Sequence, residues 1–201
     1  MGGDFNVSNS LAALTTAVEL GIDIDVAIGA VSSLPAVPGR FEMVDTDESR
    51  RRGVTIVVDY AHTPDSLERL LVAARRVVGA AGSLTVVFGC GGDRDRAKRP
   101  SMGAVASRHA DRVVITSDNP RSEHPQTIID EIVDGIDPGS AAGVVTIVER
   151  RAAICDAIAT AASGDVVVLA GKGHEATQEF ADRTIDFDDR AIARQCLEAS
   201  S

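Results

Sequence analysis

Aromatic side chains are scarce in this chain of 201 residues, with no tryptophan and only 3% aromatics in all, so a core has to be built from alanine, valine, isoleucine and leucine. No stretch approaches the roughly 20 apolar residues that a membrane-crossing helix requires. The opening Met1-Gly2-Gly3-Asp4-Phe5 has no basic region followed by an apolar run, which argues against a secretory signal. Cysteine is equally sparse. Cys90, Cys155 and Cys196 are odd in number and widely spaced, a pattern that suits neither a disulfide framework nor a zinc site, and a reduced cytoplasmic setting is the reading they support. Positive charge is in deficit: 20 Lys and Arg against 30 Asp and Glu leave a net charge of -10. Such a field repels phosphate, arguing against a general nucleic-acid binder or a partner for anionic membranes, although it leaves room for a locally basic site.

What is present is an ordinary globular composition, 44% hydrophobic and 25% charged. Ser8 to Leu20 is rich in alanine and leucine and predicts a helix stopped at Gly21; a second short helix is expected over about 25–33. The following segment, Leu34-Pro35-Ala36-Val37-Pro38-Gly39-Arg40, is the best candidate for a linker, dividing a short helical stretch (1–34) from the main domain (35–201). Beyond it, FEMVDTD and GVTIVVDY predict two strands of a hairpin, joined by a charged, solvated turn over 48–52. From Asp59 onward, short Val/Ile-rich runs (SLTVVFG, RVVITS, GVVTIV, DVVVLAG) alternate with helical segments at about 65–79, 100–109, 126–134 and 150–162. Runs of this kind suit strands buried on both faces, and the alternation predicts an α/β fold with a mainly parallel sheet covered by helices. A last strand, TIDF, and a closing helix are expected over 184–198.

Ligands of such sheets bind beyond the carboxyl ends of the strands. The unusual residues of this chain fall there: Asp59 to His62, Gly89 to Arg94, Asp118 to Arg121 and Gly171 to Glu175 each follow a predicted strand. Familiar motifs fail at these places. The glycine loop has Arg94 where a dinucleotide fingerprint needs glycine, Gly171-Lys172 lacks the first glycine and the Ser/Thr of a phosphate loop, and His174-Glu175 meets Gln178 where a zinc protease needs histidine. What is left is a polar constellation. Arg94, Arg96, Lys98 and Arg99 put four cations in six residues of an acidic chain. Arg96 and Arg99 also suit a solvated helix entry, whereas Arg94 is expected to lie closer to the sheet behind its glycines. The turn Asp118-Asn119-Pro120-Arg121 holds both signs of charge that a zwitterionic amino acid needs, and Glu175 suits an ammonium group.

DYAHTPDSL (59–67), GCGGDRDRAKRP (89–100), DNPR (118–121) and GKGHE (171–175) together resemble the C-terminal domain of MurE-type Mur ligases, and FNVSN (5–9) and PGR (38–40) resemble the junction where the family's central ATPase domain runs into it. The six segments are collinear and span essentially the whole chain. The resemblance implies a Rossmann-like domain of an ATP-dependent ligase of peptidoglycan synthesis. It implies UDP-N-acetylmuramoyl-L-alanyl-D-glutamate as acceptor, meso-diaminopimelate as incoming amino acid, and ATP with Mg²⁺ to activate the acceptor carboxylate. Carried over by motif, Arg94, Asp118, Asn119, Arg121, Gly171 and Glu175 would bind the amino acid. Asn6 or Asn9 would lie near adenine, Arg40 and Asp59 near ribose and phosphates, and His62 near the reacting end, where nothing in the sequence identifies the base. The family's UDP-binding domain, phosphate loop and Mg²⁺ ligands have no counterpart in these residues, so residues 1–34 are expected to be the tail of the ATPase domain and the chain to be inactive alone. A sister ligase of the folylpolyglutamate or MurF type, or a stand-alone amino-acid-binding module, are the rival readings.

Overall fold

The computed structural model describes residues 4–33 and 37–199, with Asp4, Phe5 and Asn6 described by backbone alone. The chain falls into two compact units, Met1–Val37 and Pro38–Ser201. In the first, α1 (Asp4–Glu19) packs against α2 (Ile24–Ser33). The first helix begins four residues before the predicted Ser8. Leu11 and Val18 stay exposed, as do Val26 and Ile28 on the second helix, so two helices alone do not bury their apolar residues.

The second unit is built on a six-stranded sheet. Its strands are β1 (Glu42–Met43), β2 (Thr55–Asp59), β3 (Leu84–Phe88), β4 (Arg112–Ile115), β5 (Gly143–Thr146) and β6 (Val166–Ala170), in the spatial order β1-β2-β6-β3-β4-β5. All neighbours are parallel except β1, which runs antiparallel to β2. The Val-rich runs of β2, β3, β4 and β6 are buried along nearly their whole length, as expected for a sheet covered on both faces. The run over 143–146 differs: β5 is the edge strand of the sheet, and all four of its residues are exposed.

Between the strands lie α3 (Asp47–Arg52), α4 (Pro64–Arg75), α5 (Lys98–His109), α6 (Pro125–Val133) and α7 (Arg150–Thr160), and α8 (Asp189–Ala199) closes the chain. Helices α4, α5 and α6 pack side by side on one face; α7 and α8 pack together on the other. The alternation of strand side chains sorts the core accordingly, with Ile56, Val58, Val87, Val114, Val167 and Leu169 facing Ile154, Ile158, Ile192 and Leu197.

Three expectations need correction. The charged segment over 48–52 is a helix and not a turn, although Arg50 and Arg51 are exposed as expected: Thr46 and Ser49 form a reciprocal capping box, and Arg52 donates to the carbonyls of Ile158 and Ala161 at 2.8 and 3.0 Å. The expected strand in TIDF is present as β8 (Thr184–Asp186), and it pairs antiparallel with β7 (Thr177–Glu179), a polar strand without a legible apolar alternation. Cys155 on α7 and Cys196 on α8 form a disulfide across 41 residues of sequence, a pairing that spacing along the chain cannot reveal. Arg99, at the helix entry, is fully buried and bonded to Glu123 and Glu131.

Candidate functional site

Because β2, β6, β3 and β4 are adjacent and parallel, the four segments that follow them meet along one rim of the sheet. They enclose an open cavity of about 350 Å³ whose lining includes Arg94, Asp118, Asn119, Arg121, Gly171 and Glu175, together with Tyr60, His62 and Lys98.

Acceptors lie on one side. Asp118 is buried, and its Oδ1 accepts the Asn119 backbone N–H at 2.7 Å while its Oδ2 has no partner among the described residues. Gly171, at φ +110°, lets the β6 loop pass so close that a Cβ there would stand 2.7 Å from that Oδ2. Glu175 receives the Asn119 side-chain N–H at 2.9 Å and the Lys172 ammonium at 3.2 Å, both on Oε2, leaving Oε1 without a partner among the described residues.

Donors come from the loops after β3 and β4. The Arg121 guanidinium is fixed at two points, Nη1 to the Gly92 carbonyl at 2.9 Å and Nε to Glu179 at 2.8 Å, and Nη2 bonds to nothing among the described residues. The run Gly91-Gly92 is needed for close packing: a Cβ on Gly92 would lie 1.9 Å from the Pro120 carbonyl oxygen. Arg94, expected against the sheet, is exposed instead, and among the described residues it bonds to the Asp93 carbonyl alone, at 3.0 Å. Lys98 donates to the carbonyl of His62 at 2.7 Å. Cys90, between the glycines, is buried, and burial pushes its thiol up to about 12, far from a thiolate at neutral pH.

At the β2 end, Asp59 is buried and both its oxygens are taken: Oδ2 by the Phe41 N–H at 2.7 Å and Oδ1 by the Ala61 N–H at 2.8 Å. Burial raises its pKa, against the pull of those bonds and of Arg40. Asp59 therefore pins the Arg40–Phe41 backbone to the sheet. The Arg40 guanidinium lies over the Tyr60 ring, 4.9 Å from its centroid, and Tyr60 in turn neighbours the rings of His62 (4.6 Å) and His174 (5.4 Å). His62 is exposed, its Nδ1 2.8 Å from the Tyr60 carbonyl. Asn6 and Asn9 stand on α1 in the other unit; the Asn6 side chain lies outside the described residues, and Asn9 is exposed. Among the described residues no cluster of three or more His, Cys, Asp or Glu suits a metal ion, and no helix is long and apolar enough to cross a membrane.

Two buried arginines set the frame beneath. Arg150 forms a bidentate pair with Asp189, both fully buried, and also donates to the Ala170 carbonyl at 3.0 Å and to the Ser117 carbonyl at 3.4 Å. It thereby ties the ends of β6 and β4 across β3. Arg99 bonds to Glu123, Glu131 and the Gly91 carbonyl, and holds the Glu123 carboxyl well down, at about 2.

Sequence reasoning missed the supports of this site. Lys172 and Gln178 had significance only as residues that spoil a phosphate loop and a zinc motif. Both are buried at the rim, Gln178 donating to the Asp118 carbonyl at 2.7 Å and Lys172 to Asn119 Oδ1 at 2.9 Å. The available signal was a lysine flanked by two glycines.

Among solved structures, the chain is similar to a UDP-N-acetylmuramoyl-L-alanyl-D-glutamate–2,6-diaminopimelate ligase, with a TM-score of 0.74 and 42% identity over 99% of this chain and 39% of that one. A UDP-N-acetylmuramate-alanine ligase from Thermotoga maritima shares the fold at a TM-score of 0.64 and 21% identity, over 99% of this chain and 38% of that one. The class is that of ligase domains built on a mostly parallel α/β sheet. The profile of the Mur ligase, glutamate ligase domain matches residues 39–173, and the chain belongs to the Mur ligase family. Curated relatives named UDP-N-acetylmuramoyl-L-alanyl-D-glutamate–2,6-diaminopimelate ligase are 52% identical in Thermosynechococcus vestitus and 47% identical in Syntrophomonas wolfei. The chain is covered to 97% in both comparisons and spans only 38% and 39% of those relatives.

Proposed function

We propose that this chain is the amino-acid-binding part of a cytoplasmic, ATP-dependent ligase that joins meso-diaminopimelate to UDP-N-acetylmuramoyl-L-alanyl-D-glutamate. The observation that carries the reading is the meeting of incompletely engaged groups in one cavity: Oδ2 of Asp118 and Oε1 of Glu175 with Arg94 and with Nη2 of Arg121. Among the described residues those atoms have no partner, and Arg94 bonds through Nη1 to a backbone carbonyl. Such a cavity takes a small molecule with both ammonium and carboxylate ends, and the name of the relative that is 52% identical supplies the compound. ATP bound with Mg²⁺ would supply the phosphoryl group that activates the acceptor carboxylate. Arg40, held over Tyr60 and anchored beside Asp59, fits a phosphate or ribose contact; the metal ligands are assigned to parts of the enzyme outside these residues.

The work of this chain is then positioning. Asp118 and Glu175 hold ammonium, Arg121 and Arg94 hold carboxylate, and His62 lies near the reacting end. Fixed geometry of this kind contributes on the order of 7–11 kcal/mol to a bimolecular step. L-Lysine lacks the carboxylate on the ε-carbon and would leave an arginine without its partner. Calorimetric titration of the chain is expected to give meso-diaminopimelate at least about 10-fold tighter than L-lysine, the value of one charge-assisted hydrogen bond; equal or reversed affinities overturn the assignment. With ATP, Mg²⁺ and both substrates, the chain alone is expected to release no ADP, because a transferred phosphoryl needs a clamp of backbone N–H groups and metal. Turnover would contradict the division of labour.

A further inference from the structure

Lys172 has no assigned role, and its surroundings are unusual. Its side chain is fully buried beside two residues that line the cavity, with Nζ 2.9 Å from Asn119 Oδ1 and 3.2 Å from Glu175 Oε2. The backbone is shaped to put it there. Gly171 and Gly173 flank it at φ +110° and +52°, and a Cβ on Gly173 would lie 2.6 Å from the Cβ of Tyr60. Burying an ammonium costs far more than burying a methionine of similar length, so a residue that only filled space would not be charged.

The hydrogen-bond chemistry shows what the charge accomplishes. Asn119 Oδ1 receives two groups that only donate, the Lys172 ammonium and the Glu179 backbone N–H at 3.1 Å. Turned over, the amide would set donors against donors. Nδ2 must therefore face Glu175, where it meets Oε2 at 2.9 Å. Lys172 takes the same Oε2, so one carboxylate oxygen of Glu175 is saturated from inside the protein and Oε1 is kept for the cavity.

We propose that Lys172 is a positioning residue of the amino-acid site, fixing the Asn119 amide and the Glu175 carboxylate so that one N–H of the first and Oε1 of the second are presented together to the incoming amino acid. The ligand in this statement rests on the function proposed above; the triangle of side chains does not.

The test is a double-mutant cycle on the 201-residue chain, titrated with meso-diaminopimelate, using Lys172→Met, Glu175→Gln and the pair. Lys172→Met is expected to weaken binding about 10–100-fold, as for loss of a charge-assisted hydrogen bond. In the Glu175→Gln background the same change should cost less than about 3-fold, since the two act as one unit. Nitrogen-15 NMR of the unliganded chain should show the Asn119 side-chain amide displaced by Lys172→Met and returned toward its original position by Lys172→Arg. Equal losses in both backgrounds, or an unmoved Asn119 amide in folded Lys172→Met, overturn the proposal. Should Lys172→Met not fold, Lys172→Gln, which still donates, is read by the same amide signal: retention of the native position supports the proposal and displacement contradicts it. A wild-type chain that fails to bind diaminopimelate refutes the ligand assignment, and the amide signal then decides the positioning role by itself.

Discussion

The cations of the second unit occupy two settings, the floor under the rim and the wall of the cavity, and the contrast separates structure from binding. On the floor, Arg150 and Arg99 are fully buried, and their carboxylate partners come from this chain. On the wall, and among the described residues, Arg121 keeps Nη2 unengaged and Arg94 has a single bond, to a backbone carbonyl. The types of residue are the same in both settings. What differs is how completely the fold has satisfied the cation: Arg121 meets Glu179 and the Gly92 carbonyl and still keeps Nη2 open to the cavity. A guanidinium whose partners are internal is a staple, and one whose partners are incomplete is available for a ligand.

The largest effect expected from breaking this contrast is on the floor. Arg150→Ala would leave the buried Asp189 without its ion-pair partner, and the strand ends at Ala170 and Ser117 untied. Chemical denaturation should show a loss of about 3–5 kcal/mol; a loss under about 1 kcal/mol would mean that the pair is no staple. On the wall the outcome should invert. Arg121→Ala is expected to raise the Kd for meso-diaminopimelate about 10–100-fold with little change in denaturation midpoint, and Arg121→Lys to recover only part, since a point charge does not reproduce a planar fork. An unchanged preference over L-lysine would reduce Arg121 to a turn residue.

Acid sharpens the comparison further. The Arg99 guanidinium lowers the folded-state pKa of Glu123 to about 2, and Glu131 is lowered by Arg96 and Arg99. A depressed carboxylate contributes stability that is fully present above its unfolded value near 4.5 and is lost as pH falls toward the folded one. Wild type should therefore lose stability between about pH 4.5 and 2 more steeply than Glu123→Gln. Parallel curves would remove the floor network from the account. The smallest effect is expected at Cys90. With its thiol pushed up to about 12, it should resist alkylation at pH 7 in the native chain and react only on unfolding; rapid native-state labelling would show that the glycine loop opens.

Much of the scaffold was legible along the chain. Valine-rich runs separated by amphipathic segments predicted a parallel sheet, and four polar clusters at strand ends predicted a rim site, because both signals are local in sequence. The capping box at Thr46 was also present, but the charges over 48–52 obscured it. The polar strand β7 was not legible, since Thr177, Gln178 and Glu179 carry no alternation to reveal a strand, and it is held by pairing to β8 and by contacts to the Asp118–Arg121 turn.

The sequence by itself determined the α/β class, the alternation of strands and helices from β2 to α7, the family and the list of polar residues that had to gather at the carboxyl ends. Only the tertiary structure decided which of those residues face the cavity. It placed Arg99 in the interior and Arg94 in the open, filled both oxygens of Asp59 with backbone N–H groups, joined Cys155 to Cys196, and buried Lys172 against Asn119 and Glu175. The reason is that burial and hydrogen-bond satisfaction are properties of pairs brought together from distant parts of the chain, and residue type and spacing do not record them.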